Sequence, residues 1–292
     1  GDRVSSEILS AVSGLAPGGG VVEVRALADG VTHSGYFDDY DALARAVEAL
    51  DADPAVAGIY VTLNAVNPAL LARRANRIKM RLSRKDATTA DADIIRRRWF
   101  PVDIDPVRPS GVSSTDEEHA AALAAAEQIA TYLAEQGFPA PIRADSGNGA
   151  HLLYRVDLPN DEAATEVVKG ALATLDALFS TEAVTVDTAN HNAARIWKLY
   201  GTLSRKGDNT PERPHRRAKI LAVPNEIRMV PREYLQHLAR LLPREEPHER
   251  KRSNGNGPGI DLAAWLLDYG IAVRSTRPYR GGTLYALDEC PF

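Results

Sequence analysis

Asp103 and Asp105 alternate with apolar residues in Trp99-Phe100-Pro101-Val102-Asp103-Ile104-Asp105-Pro106. On an extended strand, alternate side chains share a face, so both carboxylates point the same way, about 7 Å apart along the backbone, while Val102 and Ile104 turn into a core. Paired carboxylates at a strand end suit Mg²⁺ or Mn²⁺, hard cations that take oxygen ligands and keep positions open for phosphates. The same pattern also describes a solvated strand end, so the rest of the chain must decide. Ser146-Gly147-Asn148-Gly149-Ala150-His151 puts two glycines before the apolar strand Leu152-Leu153-Tyr154. There, backbone amides can approach an anion closely, with a hydroxyl and an imidazole at the edges. The bland alternative is a hairpin with a surface histidine. Val186-Asp187 adds a third carboxylate, and Arg195, Lys198 and Lys206 follow within a short segment. A structural salt-bridge cluster would look similar. Taken together, carboxylates for metals and cations for a triphosphate make the set that phosphoryl transfer needs.

These residues require elements to hold them. Val21 to Leu27 alternates as a half-buried strand, and Asp38-Asp39 caps a helix from about Tyr40 to Leu50. A strand over Gly58 to Leu63 leads to a helix opening near Pro68 that carries Arg73, Arg74, Arg77 and Lys79. The Trp99 to Asp105 strand stops at Pro106, and Ser114-Thr115-Asp116-Glu117-Glu118 opens an Ala-rich helix ending at Gly137. The order then repeats: strands near Ile142 to Ala144 and His151 to Val156, and a helix from Asp161 to Phe179. Strands follow at Val184 to Asp187, Arg195 to Leu199 and Ala218 to Leu221, then a helix at Arg232 to Leu242. Hairpin-like neighbours mixed with crossovers predict an α+β fold. Residues 244–259 are charged and rich in Gly, Asn and Pro and read as a linker, which closes a catalytic unit at residues 1–243. Beyond it, a short helix (Ile260 to Tyr269) and a strand (Gly282 to Leu287) make an appendage at residues 260–292, read as the start of a further, truncated region.

With 292 residues, 44% hydrophobic and 25% charged, the chain can bury a sizeable core as one large domain with an appendage or as two modest domains. A net charge of -4 offers no global attraction to nucleic acid, so such a partner must be gripped by local basic patches. One cysteine excludes an intrachain disulfide framework. No apolar run of about 18 residues predicts a membrane span, and the expected location is the cytoplasm. A Gly-x-x-x-x-Gly-Lys-Ser/Thr phosphate loop is absent from the sequence, which excludes a helicase or ATPase of that class in this chain.

Asp103-x-Asp105, Ser146-Gly147-Asn148-Gly149-Ala150-His151 and Val186-Asp187, in that order, resemble the three motifs of the archaeo-eukaryotic primase superfamily, and most of all the primase-polymerases of phages, plasmids and prophages. Trp99 to Pro109 and Asn192 to Thr202 with Lys206 extend the resemblance, which covers roughly residues 60–221. It implies a two-module α+β core with an RRM-like sheet and template-dependent polymerisation of NTP or dNTP, on a primer strand or without one. By motif, Asp103, Asp105 and Asp187 would hold two Mg²⁺ or Mn²⁺ ions, and Ser146 and His151 would contact the triphosphate, with Arg195, Lys198 and Lys206 beside it. Two departures stand out: Ala150 where relatives often carry an aromatic residue, and Asn64 to Pro68 where they carry a tighter Leu-Asn-Pro. For single-stranded template, the basic candidates are Arg73, Arg74 and Arg77, and Arg96, Arg97 and Arg98 next to the first motif. A helicase or zinc-containing region downstream is the expected protein partner. Two rival readings share the paired aspartates: a metal-dependent nuclease, and a catalytically silent initiator that binds single-stranded DNA.

Overall fold

The computed structural model describes residues 2–242 and 261–288. The linker expected at residues 244–259 lies outside the described residues. In chain order the first elements are α1 (Asp2–Leu15), β1 (Val22–Ala28), β2 (Val31–Phe37), α2 (Tyr40–Asp51), β3 (Val56–Thr62) and β4 (Ala65–Val66). Then come β5 (Ile94–Pro106), α3 (Asp116–Glu135), β6 (Ile142–Asp145), β7 (Ala150–Pro159), α4 (Glu162–Phe179), β8 (Val184–Val186) and β9 (Ile196–Lys198). The chain continues through β10 (Leu203–Ser204), β11 (Arg216–Arg217), β12 (Lys219–Ala222), α5 (Arg232–Arg240), α6 (Leu262–Asp268), β13 (Val273–Tyr279) and β14 (Gly282–Leu287). The fold is α+β, with antiparallel sheets throughout. No described helix is long and apolar enough to cross a membrane.

Two sheets define the molecule. The first has the order β2-β1-β3-β9, the second β12-β6-β7-β5-β4 with β8 paired to the end of β5. Ile8, Val12, Val24, Leu43, Val47, Ile59 and Val61 form the core between α1, α2 and the first sheet. Phe100, Val102, Ile104, Leu152 and Tyr154 meet Ile129, Leu133, Leu172 and Leu175 of α3 and α4 in the second. The opposite face of β5 and β7 sends Trp99 and Leu153 into the first core. Both faces of these strands are therefore used, and Asp103 and Asp105 share the Trp99 side, toward the first sheet. A slip of one residue would expose Val102 and Ile104, at about 1.5–3 kcal/mol each, and thrust both carboxylates among the helices. Hydrophobic burial on one face thus fixes where the acids point.

Local chemistry sets the ends. Asp39 Oδ1 accepts from the Ala42 amide at 3.0 Å to start α2. Thr115 and Glu118 form a reciprocal capping box on α3. In β5 a bulge between Arg97 and Trp99 reverses the parity of the strand, so Arg97 lies on the α4 side and donates to Thr165 Oγ1 at 2.8 Å.

One expected helix is absent. After Pro68 only a short 3-10 segment forms, Pro68–Arg73. Asn76 and Arg81 then take left-handed conformations, with φ of 51° and 54°. The chain instead runs along the edge of β2, exchanging Ser34 and Lys79 amide hydrogen bonds at 2.8 and 3.1 Å and adding Leu82 to Thr32 at 2.8 Å. Its cations lack an apolar helical face to bury, while the open edge of β2 offers backbone partners. At the far end, β13 and β14 form a hairpin that reaches α4 through Arg277 Nη2 and Asp176 Oδ2 at 2.9 Å. Sequence pattern alone predicts only β14 there.

Candidate active site

The carboxylate face of β5 opens into a cleft of about 500 Å³ between the two sheets. Asp103, Asp105, Ser146, Asn148 and His151 line it on the side of the second sheet. Leu27, Tyr60, Ile196 and Lys198 line it from the first sheet, with Arg195, Arg205 and Lys206 at the ends of adjoining segments. Seven of the eight residues assigned from sequence to metal and nucleotide thus meet in one cavity.

The glycine turn belongs to this wall for a steric reason. A Cβ on Gly149 would stand 2.2 Å from the Ile104 carbonyl oxygen, and Gly147 has φ of +95° with Ser204 Oγ where its Cβ would be, at 2.6 Å. Larger residues would push the turn off β5. Ser146 Oγ accepts from the Gly149 amide at 3.0 Å, and Asp145 Oδ1 accepts from Gly147 at 2.7 Å while contacting His119 Nε2 at 2.9 Å. Arg216 Nη1 donates to the Gly147 carbonyl at 3.4 Å and to Ser114, and Nη2 pairs with Asp116, which ties the turn to the start of α3.

The paired acids carry uncompensated charge. Asp105 is pushed up to about 6, first by the charge of Asp103 and then by burial, against Arg108, His151 and Lys206. Arg108 Nη1 stands 3.6 Å from Asp105 Oδ1 and is anchored by the Val112 carbonyl at 2.9 Å. One guanidinium does not cancel two carboxylates so close together, and a divalent cation would. The donor set therefore fits Mg²⁺ or Mn²⁺ on Asp103 and Asp105.

Asp187 is a neighbour rather than a converging third ligand. Its amide donates to the Asp103 carbonyl at 2.9 Å, but its carboxylate caps the following turn at Ala189 and pairs with Arg195 Nη2 at 3.5 Å. Among the described residues no three acids or histidines are grouped as a ready-made metal cluster. His151 is also more enclosed than its turn suggests. It is 3% exposed, with Nε2 at 3.3 Å from Asp103 Oδ1 and Nδ1 at 2.8 Å from Tyr200 Oη.

Lys198 is buried, donates to the Leu203 carbonyl at 2.7 Å and lies 5.6 Å from the centre of the Tyr60 ring. Burial lowers it to about 7, opposed by Asp51 and reinforced by Arg205 and Arg217.

The basic residues assigned to template divide sharply. Arg77 and Arg96 are exposed, although Arg96 pairs with Asp157. Arg73 is held by Tyr36, Thr88 and Asp93. Arg74, Arg97 and Arg98 are buried, at 3%, 2% and 8% exposure, and do not line the cleft. Arg74 bonds Ala87 and Ser34, and Arg98 reaches the Leu63 carbonyl. Expected at the template, Arg74, Arg97 and Arg98 are instead covered by other segments of the chain and turned to structural contacts. Asn64 is structural too: its side chain bridges the Ala193 carbonyl and the Arg98 amide at 3.0 and 2.8 Å.

Sequence reading missed Arg108, Asn148, Asn190 and Tyr60. Asn148 and Arg108 left local traces, Asn148 between the two glycines of the turn and Arg108 three residues beyond Asp105. Compared with protein-family models, curated proteins and solved structures, the chain finds no match.

Proposed function

We propose that this chain is a template-dependent nucleotidyl transferase of the primase-polymerase kind, adding NTP or dNTP to a 3′-hydroxyl with release of pyrophosphate. The observation that carries the reading is the pair Asp103 and Asp105 facing cationic groups across a cleft of about 500 Å³, a size suited to a nucleotide. In this reading the two sheets are the two modules of an archaeo-eukaryotic primase core, residues 1–243 form the catalytic unit, and the setting is replication of a phage, plasmid or prophage. Asp103 and Asp105 would hold the metal, with Asp187 at its margin. Two bound divalent ions would supply Lewis-acid activation of the attacking hydroxyl and neutralise the departing pyrophosphate.

The chain's own groups do the rest. The Ser146 hydroxyl would donate to a phosphate oxygen from the second sheet, the Gly147 and Gly149 amides being engaged within the turn. Lys206 and Arg195 would supply charge from the opposite rim, and a bound phosphate would favour the charged form of Lys198 at the floor. Leu27, Tyr60 and Ile196 give the first sheet an apolar surface against which sugar and base would be held away from water. Arg77, Arg81, Arg84 and Lys85, all exposed, are the cations best placed in solvent to take the backbone of single-stranded DNA.

The test is incubation with primed and unprimed single-stranded DNA, Mn²⁺ or Mg²⁺ and labelled NTPs or dNTPs. Product longer than primer, equimolar pyrophosphate, and loss of both in Asp103→Ala and Asp105→Ala are the expected results. Shortened template without pyrophosphate would replace the reading with a nuclease. DNA binding with neither product would replace it with a silent initiator.

A further inference from the structure

The geometry points to Trp197 and Tyr200 as positioning residues for the metal site, acting through His151 on Asp103. Trp197 Nε1 donates to Tyr200 Oη at 2.8 Å, Tyr200 Oη meets His151 Nδ1 at 2.8 Å, and His151 Nε2 stands 3.3 Å from Asp103 Oδ1. The His151 ring lies against Trp197, with centroids 4.0 Å apart and planes at 34°. Trp197, Tyr200 and His151 are all 3% exposed or less. The chain of contacts is continuous and buried.

Its direction follows from counting hydrogens. The indole has only a donor, so Tyr200 Oη accepts from Trp197 and has one proton to give. Burial pushes the Tyr200 phenol well above its usual range, which keeps that proton in place. The acceptor it meets is His151 Nδ1, and this assigns the other ring proton to Nε2, facing Asp103. The opposite tautomer would set a lone pair against the carboxylate and leave the buried tyrosine proton without its histidine acceptor. Tyr200 thereby turns the Nε2 proton to the side of Asp103 Oδ1, at ion-pair distance, and leaves the carboxylate lone pairs for a cation. Outer contacts of this kind hold metal-binding carboxylates in orientation.

The topology gives the relay a second property. His151 and Asp103 are register partners on β7 and β5, whereas Trp197 is paired with Val61 of β3 in the other sheet. The relay therefore ties the metal-binding strand to the sheet that forms the opposite wall of the cleft. Loss of the link should loosen Asp103 without emptying either core.

The proposal rests on the reading of Asp103 as a metal ligand, and Mn²⁺ alone is the probe that separates the two. Calorimetric titration of Mn²⁺ into the full chain would be run on the wild type and on Asp103→Ala, Tyr200→Phe, His151→Asn and His151→Gln, each with a melting curve. Tyr200→Phe and His151→Asn should bind Mn²⁺ about 10- to 100-fold more weakly. His151→Gln, whose amide nitrogen reaches the Nε2 position, should recover most of the affinity that His151→Asn gives up. Wild-type affinity in Tyr200→Phe, or a lowered melting temperature as its only change, would overturn the relay and leave the metal site standing. If the wild type and Asp103→Ala took up Mn²⁺ equally, or neither took up any, the metal reading itself would fall and the relay with it.

Discussion

Glu23 is a carboxylate on β1 with no exposed surface, and replacing it with glutamine tests how the cation-bearing segment is held. Its Oε1 accepts from Arg25 Nη2 at 2.9 Å and from the Thr89 amide and hydroxyl at 2.9 and 2.7 Å. Its Oε2 accepts from Ser34 at 2.6 Å and lies 3.7 Å from Arg74 Nη2. Glutamine keeps the shape, but an amide on the Oε2 side turns a donor toward Arg74, which is 3% exposed and already has an unpartnered Nε. Breaking a buried ion pair from one side costs about 3–5 kcal/mol, a large share of the roughly 5–15 kcal/mol that holds a domain folded. Burial raises the Glu23 carboxyl, and Arg25, Ser34 and Thr89 together outweigh it, so it ends below the ordinary glutamate value of 4.5. A lowered folded value means the contribution is present above pH 4.5 and is lost as pH falls through the folded value. Urea denaturation should therefore show Glu23→Gln less stable by about 3–5 kcal/mol at pH 7, with the gap to wild type narrowing below about pH 4.5. Because Glu23 anchors Thr89 and Arg74, trypsin should also cut faster at Arg77, Arg81, Arg84 and Lys85. A loss under about 1 kcal/mol with unchanged cleavage would mean that Glu23 does not pin this segment.

Three further outcomes are expected. Gly149→Ala must move the turn about 1 Å from the Ile104 carbonyl, costing about 1–3 kcal/mol and most of the nucleotide incorporation; unaltered melting and activity would refute the close approach. Lys198→Met should be more stable than wild type at pH 6 and progressively less favoured by pH 9. The folded lysine loses its proton near 7 and the unfolded one near 10.5, so wild-type stability climbs between those values; a gap that ignores pH would refute the buried charge. Replacing Arg77, Arg81, Arg84 and Lys85 together with alanine should weaken single-stranded DNA binding and flatten its dependence on log salt by about 0.7 for each phosphate no longer neutralised, and an unchanged slope would place the DNA elsewhere.

What could be read from sequence, and what could not, separates by the range of the physics involved. Asp103 and Asp105 were legible because alternation and burial of Val102 and Ile104 act along one strand. The capping box at Thr115 and Glu118 and the left-handed Gly137 are local in the same way. Glu23 and Arg25 sit on a polar face that alternation assigns to solvent, yet a segment more than sixty residues away covers Glu23 through Thr89. Nothing periodic records that cover. Arg97 was misplaced because a bulge changes strand parity without leaving a compositional mark, and the run from Arg73 to Lys79 because edge pairing with β2 is settled between distant backbones. Asp187 was found at its strand end, but its commitment to Ala189 and Arg195 depends on side-chain direction. The site itself shows the same division. Its acids and glycines come from local pattern, whereas Tyr200, the residue that assigns a proton to His151, lies 49 positions away from it in the chain. Sequence motifs here name groups that line the cleft; the groups that set their direction emerge only when the two sheets are brought face to face.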